Sequence, residues 1–159
     1  LSSEEWLASQ AVEVVNNLLA GMGASAIATV RFAGNAEVGP SIDIFGEDSG
    51  LLIGKRGESL RSFQFLVNLL LNSKGGNRHP VVTIDVEQYK ERRNRSLTTM
   101  ANRVAERVMS SGRAVTLEPM SAFDRRIIHV ALAEHPYVTT ESFGDGRDRQ
   151  VQVRLGTAN

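Results

Sequence analysis

An α+β chain made of two small units is predicted from three features of the sequence. Residues 1–87 read in the order α-β-β-α-α-β, which closes a compact unit. A long amphipathic segment follows, from Gln88 to Ser110. A smaller set of short strands and one helix then completes a second unit, so the predicted division is 1–87 and 88–159. The 159 residues suffice for one ordinary domain or two small ones, and 42% hydrophobic with 23% charged residues is globular composition.

Residues 4–20 have Trp6, Leu7, Val14 and Leu18 at helical spacing after Ser2 and Ser3, with a stop at Gly21-Met22-Gly23. Ala26–Phe32 and Val38–Phe45 read as strands of a hairpin turning at Ala33–Ala36. Asp48 or Ser49 can cap a short helical turn through Leu51, Leu52 and Ile53, which breaks at Gly54-Lys55-Arg56-Gly57. A helix from Glu58 to Asn72 follows, with Leu60, Phe63, Val67, Leu70 and Leu71 on one stripe and Phe65, Leu66 and Leu69 on its flank. So much apolar surface predicts a helix that is largely buried or part of an interface. Ser73–Asn77 reads as a loop and Val81–Val86 as a strand.

In the second unit the long helix has Leu97, Met100, Ala101, Val104, Ala105 and Val108 on its apolar face, opposite Arg92, Arg95, Arg103 and Glu106. Ala114–Leu117 is a short strand. Ser121 and Asp124 form a capping-box-like pair opening a helix to about Glu134. Tyr137–Ser142 and Gln150–Leu155 alternate around Gly144-Asp145-Gly146 as a hairpin.

Composition excludes several classes. No apolar run approaches the ~18 residues of a membrane span. The polar, acidic start is unlike a signal peptide, and the absence of an initial methionine predicts that a preceding segment has been removed. With no cysteine there is no disulfide framework and no thiolate chemistry, which fits a cytoplasmic location. His79, His129 and His135 are scattered without metal-ligand spacing, and no serine sits in a nucleophile elbow. The sequence thus predicts no enzyme, no metal, no cofactor and no small-molecule substrate.

The formal charge is zero, yet it is unevenly distributed. Residues 1–50 hold seven acids against Arg31, residues 51–113 hold twelve bases and five acids, and the remainder is close to balanced. A basic middle third can meet an anionic partner whatever the overall pI.

Three motifs stand out. In Ile53-Gly54-Lys55-Arg56-Gly57, glycines at both ends let backbone approach a ligand, and two cations sit at the tip before a helix N-terminus. A phosphodiester backbone matches that chemistry, with Leu51, Leu52 and Ile53 as an apolar wall for bases and Arg61 one turn further on. Gly50 to Arg56 is too short for a Walker loop and lacks its Ser/Thr, while Gly21-x-Gly23-x-x-Ala26 lies between a helix and a strand in the wrong order for a dinucleotide.

The second motif is Arg125-x-x-x-His129. At 100° per residue, Arg125, Arg126 and His129 share a sector opposite Phe123, Ile127, Val130 and Ala131. That predicts an exposed basic face, either a solvated surface or a grip on phosphate or base, with His129 titrating near its reference value of ~6.5. The third is Tyr89 with Lys90, Arg92, Arg93 and Arg95, which could track a backbone beside a stacking ring or pair with acids elsewhere.

The run Gly46–Leu60, containing Gly54-Lys55-Arg56-Gly57 and followed by Gln64, resembles the type II KH domain of the Jag family, the SpoIIIJ-associated (KhpB/EloR) proteins. Tyr89–Arg93 and Leu117–His129 resemble that family's second domain, the R-three-H domain, named for an Arg and a His separated by three residues. The resemblance spans roughly residues 4–156. It implies a bacterial cytoplasmic single-stranded RNA-binding protein connected with cell elongation and division. It also implies KH-mediated pairing with itself or with a small single-domain KH protein, KhpA, and an additional N-terminal domain in full-length members. Carried over by position, it implies Gly54, Lys55, Arg56 and Gly57 as the KH loop and Arg125 with His129 as the R-three-H pair. The alternative expectation is a protein-interaction scaffold in a cell-elongation or sporulation complex, docking partners through the 58–72 helix and the basic block, with nucleic-acid binding secondary.

Overall fold

A computed structural model describes residues 1–75 and 78–156, and these form two compact units, Leu1–Lys90 and Glu91–Asn159. The fold is α+β. In the first unit, α1 (Ser3–Gly21) starts with a full capping box: the Ser2 hydroxyl accepts the Glu5 N–H and the Glu5 carboxylate accepts the Ser2 N–H. β1 (Ala26–Phe32) pairs antiparallel with β2 (Ser41–Gly46), and β2 pairs parallel with β3 (Thr83–Val86). The connection between β1 and β2 is longer than a tight hairpin. A register shift interrupts the pairing between Val30 and Phe32, and the Asn35 side chain accepts the Glu37 and Val38 N–H groups in the loop.

The first core joins Ala11, Val15 and Leu19 of α1 to Ile42, Ile44 and Ile84 of the sheet and Val67 of α3 (Glu58–Gly75). α3 runs on beyond Asn72, so Ser73, Lys74 and Gly75 are helical where a loop is predicted; Gly76 and Asn77 lie outside the described residues. Two amides on α3 finish the edge of β3. Ile84 N–H donates to Gln64 at 2.9 Å, and Asn68 exchanges two hydrogen bonds with Val82. Otherwise these main-chain groups would be buried without partners.

The second unit packs most of α4 (Tyr89–Ser111) and α5 (Ala122–Leu132) with a three-stranded antiparallel sheet in the order β4-β6-β5. These strands are β4 (Val115–Thr116), β5 (Val138–Phe143) and β6 (Gln150–Leu155). Its core contains Leu97, Ala101, Ala105 and Val108 of α4, Ile128 and Leu132 of α5, and Val151 and Val153 of β6. Each of these spacings keeps the residues on one face of its element.

Candidate nucleic-acid interface

The Gly54–Gly57 loop joins α2 (Ser49–Ile53) to α3. Asp48 stands at the start of α2 but does not cap it; its carboxylate accepts the Ser25 N–H at 2.6 Å. Gly54, Arg56 and Gly57 all have positive φ, at 66°, 54° and 75°. A side chain at Gly54 would run into Ser59, and one at Gly57 would lie 2.7 Å from the Tyr89 ring. Both glycines are therefore demanded by conformation and by space. Arg56 occupies the left-handed region without being glycine, a conformation that costs an L-residue ~1–2 kcal/mol. Its carbonyl accepts the Arg61 guanidinium at 3.1 Å, which binds the loop back onto α3.

Lys55 is exposed at the tip. Leu52 is only 3% exposed and belongs to the core, so it anchors α2 and cannot be a wall for bases. Leu51 (77% exposed) stands on the surface beside half-buried Ile53. Tyr89 is likewise a packing residue, its ring filling the space over Gly57 and joining the first core instead of standing free for stacking.

The second cluster runs along α5 (Ala122–Leu132), from its cap at Ser121 to His129 in the last turn. Ser121 caps the helix by accepting the Asp124 N–H at 3.2 Å, but the reciprocal half of the capping box is absent because Asp124 turns to Arg93 at 2.9 Å. Arg93 is thereby committed to a buried carboxylate and is not available to track a backbone. Arg95 pairs with Glu91 on an exposed face at 3.0 Å, and Arg92 is exposed.

The predicted face of α5 needs correction. Its buried stripe is Asp124, Ile128 and Leu132, so Phe123 and Val130 are exposed, while Arg125 and His129 are half-buried. Asp124, expected only as half of a capping pair, is buried in its ion pair with Arg93, and α5 turns that side inward. Arg125 donates to the Met120 carbonyl at 2.6 Å. The two ring nitrogens of His129 meet Thr140 Oγ1 at 2.6 Å and Ser142 Oγ at 2.7 Å. Burial first, and then the guanidinium groups of Arg125 and Arg149, hold His129 below the ordinary value of 6.5, so it does not titrate as an exposed histidine would. Thr140 and Ser142 are partners of His129 that the sequence motif does not reveal, although their i, i+2 spacing on β5 puts both hydroxyls on one side of the sheet. Arg126 is exposed as predicted.

Comparison with known proteins bears on both clusters. The family model of the R-three-H domain matches residues 95–155, a stretch that contains Arg125 and His129. An RNA-binding protein KhpB of Clostridium symbiosum is 37% identical over 156 residues, covering 98% of this chain and 69% of that protein. The chain belongs to the KhpB (Jag) family. Two further family members, the RNA-binding proteins KhpB of Bacillus subtilis strain 168 and Lactiplantibacillus plantarum, are 36% and 41% identical over 112 and 99 residues. The matched segments amount to 69% and 62% of this chain, and to 53% and 30% of those proteins' lengths. Among the described residues no group of three or more His, Asp and Glu is arranged to hold a metal, and no helix is long and apolar enough to cross a membrane.

Proposed function

We propose that this chain is a non-enzymatic, cytoplasmic single-stranded RNA-binding module, with residues 1–87 a type II KH domain and residues 88–159 the R-three-H domain. The observation that carries it is the Gly54–Gly57 loop. Its α-β-β-α-α-β setting, its positive-φ glycines and the exposed Lys55 suit a strand whose phosphates pass close to backbone N–H groups. Lys55 and Arg56 supply charge, and Leu51 and Ile53 supply an apolar surface for splayed bases. Arg125 and Arg126 give the second domain its cations. His129 acts as a positioning residue that ties α5 to β5, and Arg92 and Arg95 extend the basic track. The family resemblance supports a role in regulating cell elongation and division.

The experiment is a titration of the full chain with a single-stranded RNA oligomer at about 0.1 M salt. Lys55→Asp with Arg56→Asp should weaken binding roughly 100-fold. The melting temperature should stay nearly unchanged, because Asp tolerates the left-handed backbone at position 56 better than most residues. Undiminished affinity would remove the loop from the mechanism.

A second reading is favoured by α3, where Phe65 (71% exposed), Leu66 and Leu69 leave an apolar flank uncovered. We propose that this flank pairs with another KH domain, in a homodimer or with KhpA. Leu69→Asp should abolish self-association in sedimentation while leaving the monomer folded.

A further inference from the structure

The exposed side of α5 combines apolar and cationic groups. Phe123 is 72% and Val130 67% exposed, and exposed Arg126 lies between them in sequence. At 100° per residue the three fall within about 60° of one another, away from the buried stripe of Asp124, Ile128 and Leu132. Asp124, the one carboxylate within the helix, is withdrawn into its ion pair with Arg93. Glu134 comes after the helix has ended at Leu132. Within α5, then, the exposed strip carries a guanidinium that no helical acid offsets. Arg125 and His129 are held on the adjoining sector by their bonds to Met120, Thr140 and Ser142.

An exposed aromatic ring one turn from a guanidinium offers two contacts at once. A planar apolar group can stack on the ring while an anion attached to it meets the cation. An unpaired nucleotide in a single strand has both parts. A duplex keeps its base faces in its own stack and has none to offer. We propose that Phe123 is a base-stacking residue for single-stranded nucleic acid, with Arg126 meeting the adjoining phosphate and Val130 supporting the neighbouring base. This rests on the RNA-binding reading and extends it to a residue outside both motifs.

The test titrates the full chain with a uridine decamer and with an abasic phosphodiester oligomer of equal length. Phe123→Ala should weaken uridine binding roughly 5- to 100-fold and leave abasic binding unchanged, since stacking requires a base. Phe123→Trp should restore uridine affinity, and Arg126→Ala should weaken both oligomers alike. Because Phe123 is exposed, its Ala variant should melt with the wild type. Wild-type uridine affinity in Phe123→Ala, or an equal loss on both oligomers, overturns the stacking role while RNA binding stands. Loss of self-association with unchanged RNA affinity would assign the strip to a protein contact and overturn it as well. If the wild type binds neither oligomer, the RNA-binding reading fails first.

Discussion

The Gly54–Gly57 loop and the Arg125–His129 cluster both carry basic side chains, one just ahead of α3 and one along α5, but they are built from different materials. The loop is held by backbone: three of its four residues are left-handed, two of them glycines with no room for a side chain. The α5 cluster is held by side chains, with Arg125 on a carbonyl, His129 between two hydroxyls and Asp124 clamped by Arg93. A backbone device leaves Lys55 exposed at the tip. A side-chain device engages both ring nitrogens of His129 and one guanidinium nitrogen of Arg125, and leaves Arg126 and Phe123 exposed.

That contrast can be broken by adding one methyl group. Gly57→Ala must hold alanine at φ +75° against the Tyr89 ring, whereas Gly112→Ala meets φ +69° in open space. We expect Gly57→Ala to lower stability by about 2–3 kcal/mol and Gly112→Ala by about 1 kcal/mol in urea titrations followed by circular dichroism. Equal losses would mean that the Tyr89 contact contributes nothing.

Acid acts on the side-chain device in α5. The folded-state pKa of His129 is depressed, so the unfolded chain takes up its proton first as pH falls. Its contribution to stability is complete above about 6.5 and is lost as pH falls from there through the lower folded value. The second unit should therefore weaken below about pH 6.5, and His129→Gln, with no proton to gain, should flatten that dependence. An unchanged pH profile in the variant would contradict the burial of the ring.

The smallest effect expected is at Arg56. Glycine there relieves a left-handed conformation at some cost in chain entropy, so Arg56→Gly should raise stability by up to about 1 kcal/mol. It should also weaken RNA binding by removing a cation. A variant that is both less stable and equally tight would place the strain, and the charge, elsewhere.

Much of this was legible in the sequence because glycine and strand alternation report local backbone directly. The break at Gly54–Gly57, the span of β1 and the apolar face of α4 follow from residue type and spacing. The face of α5 did not follow, because a single buried carboxylate changes which side of a helix is inside, and its partner Arg93 lies 31 residues away. Leu52 and Leu51 show the same limit within one turn: both are leucine, and only packing against the first core decides which is exposed. Gln64 and Asn68 bond main-chain groups of Ile84 and Val82, 20 and 14 residues away, a pairing no local pattern announces.

Ultraviolet crosslinking of the full chain to a single-stranded uridine oligomer, with the modified peptides mapped, locates the bound strand on the chain. Adducts are expected on the peptide spanning the Gly54–Gly57 loop and on the peptide carrying Phe123, the second lost in Phe123→Ala. Efficient crosslinking that spares the loop peptide would contradict binding through the loop.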